Sequence, residues 1–88
     1  MDNTEFVERL KTVSTGLGRL SDDLYNARKS SVSRVDRADV IQRAKAKLLE
    51  YEKFLPSLTP GRRETTINTC DDDISDIRER LTFLEEME

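Results

Sequence analysis

The chain has no histidine and one cysteine, Cys70. Without histidine it lacks the commonest general base and the commonest metal ligand. One cysteine forbids an intramolecular disulfide, which suits a reducing compartment. Apolar runs are short, and none approaches the roughly 20 residues needed to span a bilayer. Met1 to Glu8 is acidic and lacks the basic start and apolar core of a signal peptide. The expected location is therefore cytoplasmic. Apolar residues make up 35% of the chain and charged residues 38%, against roughly 45–50% and 25% in ordinary domains. Such a balance suits narrow helical seams with solvated outer faces. It overlaps the composition of disordered chains, but the regular apolar spacing argues against disorder. No alternating run would form a strand, and there is no internal repeat or low-complexity tract.

What is present is helical spacing. In Thr65 to Glu88 the apolar residues are Ile67, Cys70, Ile74, Ile77, Leu81 and Leu84. Their steps alternate three and four, the seam of a helix packed knobs-into-holes against another. Near the start, Phe6, Leu10, Val13, Leu17, Leu20, Leu24 and Ala27 keep the same alternation. Asn3 or Thr4 can cap this helix, and Glu5 and Glu8 suit its positive end. Gly16 and Gly18 are its weak point, each costing up to about 1 kcal/mol relative to alanine. They would allow a close helix approach or a slight bend. No strand precedes them and no Gly-Lys-Ser/Thr follows, so a phosphate loop is not indicated.

Ser30 to Ser33 breaks the pattern, and Ser33 with Asp36 resembles a capping box. A second helix follows, with Val35, Ala38, Ile41, Ala44, Leu48, Tyr51 and Leu55 on one face and Val40, Leu49 and Phe54 beside it. So wide an apolar arc belongs to a helix touching two neighbours, or to one exposing a contact patch. Pro56 closes that helix. Thr59 and Pro60 then suit the cap and first position of a third. The 88 residues therefore make a single all-α domain, an antiparallel up-down-up three-helix bundle with heptad-like seams. Its helices span about 4–28, 34–55 and 60–87. The expected core is Phe6, Leu10, Val13, Leu17, Leu20, Leu24, Ile41, Ala44, Leu48, Leu55, Ile67, Cys70, Ile74, Ile77, Leu81 and Leu84.

The net charge of −3 is mild, but its distribution is uneven. Arg28 to Lys47 carries seven Lys or Arg against two Asp, a net of +5. Glu64 to Glu88 carries nine acids against two Arg, a net of −7. The two stretches would complement each other within the bundle, or one would meet an oppositely charged partner.

Little points to chemistry. Cys70 sits on a seam and reads as a small buried hydrophobe, without the imidazole that a catalytic thiol needs. Asp71, Asp72, Asp73 and Asp76 are oxygen ligands of the kind that suit Ca²⁺ or Mg²⁺. Consecutive helical residues point about 100° apart, however, and cannot converge on one ion. No metal site or cofactor is expected. Helical chorismate mutases build their sites from arginines and acids on the seams. Here Arg9, Arg19, Arg43, Arg78 and Arg80 flank apolar seams, so no enzyme activity is expected. The net acidic charge argues against nucleic acid as partner, although the basic second helix keeps that and an anionic membrane surface as alternatives.

Two family resemblances attach to this pattern. Leu58-Thr59 through Arg62-Arg63-Glu64, followed by Asp73, Ile77 and Arg80, is similar to the start of the last helix in Habc-like N-terminal regulatory domains of SNARE proteins. No SNARE motif or membrane anchor follows, so on that resemblance the chain would be an excised domain. Lys11 to Leu20, with Thr15-Gly16, and Leu48 to Arg63 around Pro56 resemble tubulin-binding cofactor A, a three-helix protein that binds β-tubulin. Each helix here is about three turns shorter than in that family. Both resemblances imply a three-helix bundle, and neither transfers functional residues.

The reading is a non-enzymatic protein–protein interaction module: a vesicle-trafficking or assembly adaptor, or a small chaperone, with a helical partner. The expected contact residues are Arg37, Arg43, Lys47, Tyr51 and Phe54 on the second helix, with Asp72 and Asp76 on the third. The alternative is self-assembly as a coiled-coil-like homodimer, since the same seams serve within or between chains.

Overall fold

Three helices and two tight corners account for nearly the whole computed structural model, which describes residues 1–87. Helix α1 spans Asn3–Ala27, α2 spans Arg34–Phe54 and α3 spans Pro60–Met87. A single 3-10 turn, Leu55–Ser57, extends α2 at Pro56. The helices run up, down and up in a rod of 45 × 18 × 17 Å. Glu88, the last residue of the expected domain, lies outside the described residues.

The helix starts follow local chemistry. The α1 cap is Asp2, one residue ahead of the expected Asn3 or Thr4, and its Oδ1 accepts the Glu5 amide at 2.7 Å. Ser33 caps α2 as expected, its Oγ accepting the Asp36 amide at 3.1 Å. Each bond satisfies an amide that the helix itself cannot pair. At the second corner Ser57 Oγ donates to the Phe54 carbonyl at 2.6 Å.

The core gathers Leu17, Leu20, Leu24 and Ala27 from α1, and Val40, Ile41, Ala44 and Tyr51 from α2. From α3 it takes Cys70, Ile74, Ile77, Leu81 and Leu84. Phe6 and Leu58 are buried towards the other end, where the Arg62 guanidinium lies 5.1 Å from the Phe6 ring centroid. The α1–α3 contact is the most extensive and the α2–α3 contact the least. Helix α2 touches both neighbours, and Val40 is buried beside the expected stripe, whereas Leu49 is 51% exposed and Phe54 half-buried.

Several expected core positions differ. Ile67 is 39% exposed, and Thr66 is buried instead. The true α-helical repeat exceeds 3.5 residues, so a stripe followed back from Ile74 and Cys70 reaches Thr66 rather than Ile67. Burial of Thr66 leaves no unpaired hydroxyl, because Oγ1 donates to the Arg62 carbonyl at 2.8 Å. Leu10, Val13, Leu48 and Leu55 are half-buried at the edge of the core. Val35, expected on the apolar face of α2 though not in the core, is 78% exposed.

Candidate helix-docking groove

Small side chains and one missing side chain open a groove between α1 and α2. Its walls are Glu5, Glu8, Arg9, Thr12, Gly16, Arg19 and Asp23 from α1, and Arg43, Ala46, Lys47, Glu50 and Phe54 from α2. Val13, Leu17, Leu20 and Tyr51 contribute the apolar surface beneath. The α1 residues recur every three or four positions, and so do those of α2, so two helix faces meet along the groove. Its widest part encloses about 500 Å³ near Glu5, Glu8 and Phe54.

Gly16 sits at the middle of this groove. A Cβ added there would meet nothing within 4 Å. At Gly18 an added Cβ would lie 3.8 Å from Asp73 Oδ2, an ordinary contact with α3. The expectation that both glycines admit a neighbouring helix therefore fails for Gly16 within the chain, since it faces open space.

The groove carries mixed charge, with Glu5, Glu8 and Arg9 near Phe54, Lys47 and Glu50 midway, and Arg19, Arg43 and Asp23 at the far end. Exposed ion pairs line the walls, and Arg43–Asp23 crosses from α2 to α1. Arg43 reaches Asp23 at 3.3 Å and Asp39 at 3.1 Å, Lys47 reaches Glu50 at 3.2 Å, and Arg9 reaches Glu5 at 3.2 Å. Such exposed pairs contribute roughly 0–1 kcal/mol each, so they orient charge more than they hold the fold.

The residues singled out from sequence divide among several places. Arg43, Lys47 and Phe54 line the groove. Tyr51, expected as an outward contact, is 7% exposed and belongs to the core. Its position on the stripe with Ala44 and Leu48 carried that signal. Arg37 sits at the first corner, where Nε donates to the Ala27 carbonyl at 3.1 Å and Nη2 to the Val32 carbonyl at 3.4 Å. Asp72 is exposed on α3. Asp76 lines a different furrow, between α1 and α3, with Tyr25, Arg28, Arg80 and Phe83. There Arg28 and Arg80 lie 3.7 and 5.1 Å from the Tyr25 ring centroid. Arg80 Nη1 also donates to both the carbonyl and the Oγ of buried Ser21, at 2.9 and 2.7 Å.

The basic residues of α2 do not form one face. Arg43 and Lys47 look into the groove, Lys45 pairs with Glu85 of α3 at 3.7 Å, and Arg37 ties the corner. Across α2 and α3 the pairing also runs in the opposite sense, Glu52 to Arg78 at 3.8 Å. The acidic run of α3 fans out, with Asp73 half-buried and Asp71 and Asp72 exposed. Among the described residues no group of three candidate ligands could hold a metal ion. None of the helices is long and apolar enough to cross a membrane.

Sequence reading missed the α1 wall of the groove. Thr12 and Gly16 are one turn apart and small, a signal legible only once α2 is known to lie alongside. Comparison with family models, with curated proteins and with solved structures finds no match.

Proposed function

We propose that this chain is a non-enzymatic protein-interaction module that receives an amphipathic helix in the α1/α2 groove. The observation that carries this reading is the open, apolar-floored furrow centred on Gly16. A helix laid there would cover the half-buried Val13 and Phe54 and complete a fourth position around the bundle. The absent Gly16 side chain lets a partner backbone approach α1 closely. A trafficking or assembly adaptor, or a small chaperone, is the kind of protein such a module serves.

The test is selection of binders from a library of amphipathic helical peptides, mapped by amide chemical shifts. Selected peptides should perturb Val13, Gly16 and Phe54, and should lose at least about tenfold in affinity for Gly16→Leu. Binders that map to the α1/α3 furrow instead, or that bind Gly16→Leu unchanged, would remove the groove from consideration.

A further inference from the structure

We infer that Ser31, at the first corner, is a phosphorylation site for an arginine-directed serine/threonine kinase. The six residues Arg28 to Ser33 join α1 to α2. Within them Arg28 stands three residues before Ser31, Lys29 two before and Val32 one after. Cations ahead of the acceptor and an apolar residue behind it are the pattern that kinases with an acidic substrate groove select. Neither neighbouring serine matches it. Ser30 has Ala27 at the third position before it, and Ser33 has Ser30 there and Arg34 after it. The inference is independent of the α1/α2 groove, whose walls do not include this corner.

The fold leaves this serine accessible while it occupies most other hydroxyls. Ser30 and Ser31 are exposed in the turn that the Val32 amide closes onto the Lys29 carbonyl at 3.1 Å. Ser33 Oγ caps α2, Ser57 Oγ donates to the Phe54 carbonyl, and Ser21 is buried against Arg80. Thr12, Thr65, Thr66, Thr69 and Thr82 each donate to the carbonyl four residues before. Ser75 is exposed, but it lies inside α3, with Asp72 and Asp73 where Arg28 and Lys29 stand before Ser31. A kinase takes its substrate extended, so the turn must open. Opening gives up two corner amide bonds, from Lys29 and Val32, and the Arg37 Nη2 contacts with the Lys29 and Val32 carbonyls, long at 3.5 and 3.4 Å. Both flanking helices stay intact. The Ser31 Oγ then attacks the γ-phosphorus of magnesium-bound ATP. The new O–P bond replaces the bond to the β–γ bridging oxygen, ADP leaves with that electron pair, and the hydroxyl proton passes to the kinase's catalytic carboxylate. Arg28 to Arg37 carries four cations against Asp36, a net of +3, and a phosphate of about −2 brings the corner close to +1.

The test is incubation of the folded chain with the catalytic subunit of cyclic-AMP-dependent protein kinase and magnesium ATP, read by intact mass and fragmentation. One phosphoryl group should be added, at Ser31. Ser31→Ala should lower the initial rate at least about tenfold, and so should Arg28→Ala, whose guanidinium the kinase groove reads. Ser30→Ala and Arg34→Ala should stay within about threefold of wild type, since neither position carries the pattern. All four side chains are exposed, so circular dichroism should show unchanged helicity in every variant. No incorporation into the folded chain overturns the site, even where a peptide of Tyr25 to Asp36 is phosphorylated, because the corner then stays closed to the kinase. Incorporation centred on Ser30, Ser33 or Ser75, or a rate indifferent to Arg28→Ala, overturns it as well.

Discussion

Arg37 and Arg63 occupy the same place at the two corners of the bundle. Each lies four residues beyond the residue that precedes its helix, and its amide bonds back to that residue's carbonyl, at Ser33 and Thr59. Each then turns its guanidinium onto one carbonyl of the preceding helical segment and one in the corner. Arg37 takes Ala27 and Val32, and Arg63 takes Leu55 and Leu58 at 3.1 Å each. The Leu55 carbonyl also accepts the Leu58 amide at 3.1 Å, and each charged fork reaches two carbonyls at once.

Removing either fork should destabilise the fold. Arg37→Ala and Arg63→Ala should each cost about 1–2 kcal/mol, the lower part of the range for charged hydrogen bonds because both guanidiniums are partly solvated. Lysine should recover little, since a single ammonium cannot reproduce the planar fork. Urea denaturation of the four single variants checks this. A loss below about 0.3 kcal/mol for both alanine variants would show that the corners are held by the capping residues alone.

How much of this was legible can be judged residue by residue. The three helices, their order and both corners follow from apolar spacing, Ser33 and Pro60, which are local signals. Arg37 was legible only as a charge, because its partners lie across a corner whose path depends on how α2 packs. Tyr51 was drawn two ways by the sequence, as a member of the α2 stripe and as an aromatic contact. Burial against Cys70 and its neighbours decides for the stripe. Ile67 was misplaced because an alternation of three and four, carried to the start of α3, accumulates drift against the real helical repeat. The groove could not be read at all, since it depends on which face of α1 meets α2.

The Arg80–Ser21 contact makes a second stability prediction. Arg80 reaches across from α3, donates twice to Ser21 and covers the Tyr25 ring. Arg80→Ala should cost about 1–2 kcal/mol, combining lost charged hydrogen bonds with lost packing of the stem. Ser21→Ala should cost less, because Arg80 keeps the Ser21 carbonyl. A double-mutant cycle should give coupling of about 0.5 kcal/mol or more. Additive losses would mean that the Ser21 hydroxyl does not help to hold the guanidinium, which then rests on the Ser21 carbonyl and Tyr25.

Alkaline pH should weaken the fold through two buried groups. Burial, and after it the nearby Asp73 carboxylate, pushes the Cys70 thiol above its ordinary value. Burial, then Cys70 and Asp71, pushes the Tyr51 phenol up, against a downward pull from Arg78. Both groups therefore keep their protons in the folded chain at a pH where the unfolded chain has lost them. The folded state binds more protons in that window, so stability falls as pH rises. The contribution of Cys70 is complete below about pH 8 and that of Tyr51 below about pH 9.5, and each is lost progressively above. Urea midpoints at pH 7, 9 and 10.5 should decline, and Tyr51→Phe should flatten the part above pH 10. Cys70 should also resist thiol reagents in the native state and react on unfolding. Rapid labelling of Cys70 at neutral pH without denaturant would contradict its burial.

Gly16 and Gly18 offer the sharpest separation of folding from binding. Glycine within a helix costs up to about 1 kcal/mol relative to alanine, through backbone entropy. At Gly16 nothing in the chain uses the missing side chain, so Gly16→Ala should raise stability by about 0.5–1 kcal/mol. Gly18→Ala should give less, because its new methyl group would rest against the Asp73 carboxylate and strip some of its water. Thermal unfolding of both variants tests this order. If the groove is a docking surface, the same Gly16→Ala change should weaken association while it strengthens the monomer, an opposition that a purely structural glycine would not show. Stabilisation with unchanged association would mean that a methyl group fits under the partner. Gly16→Leu would then be the variant that decides whether backbone approach matters at this level of α1.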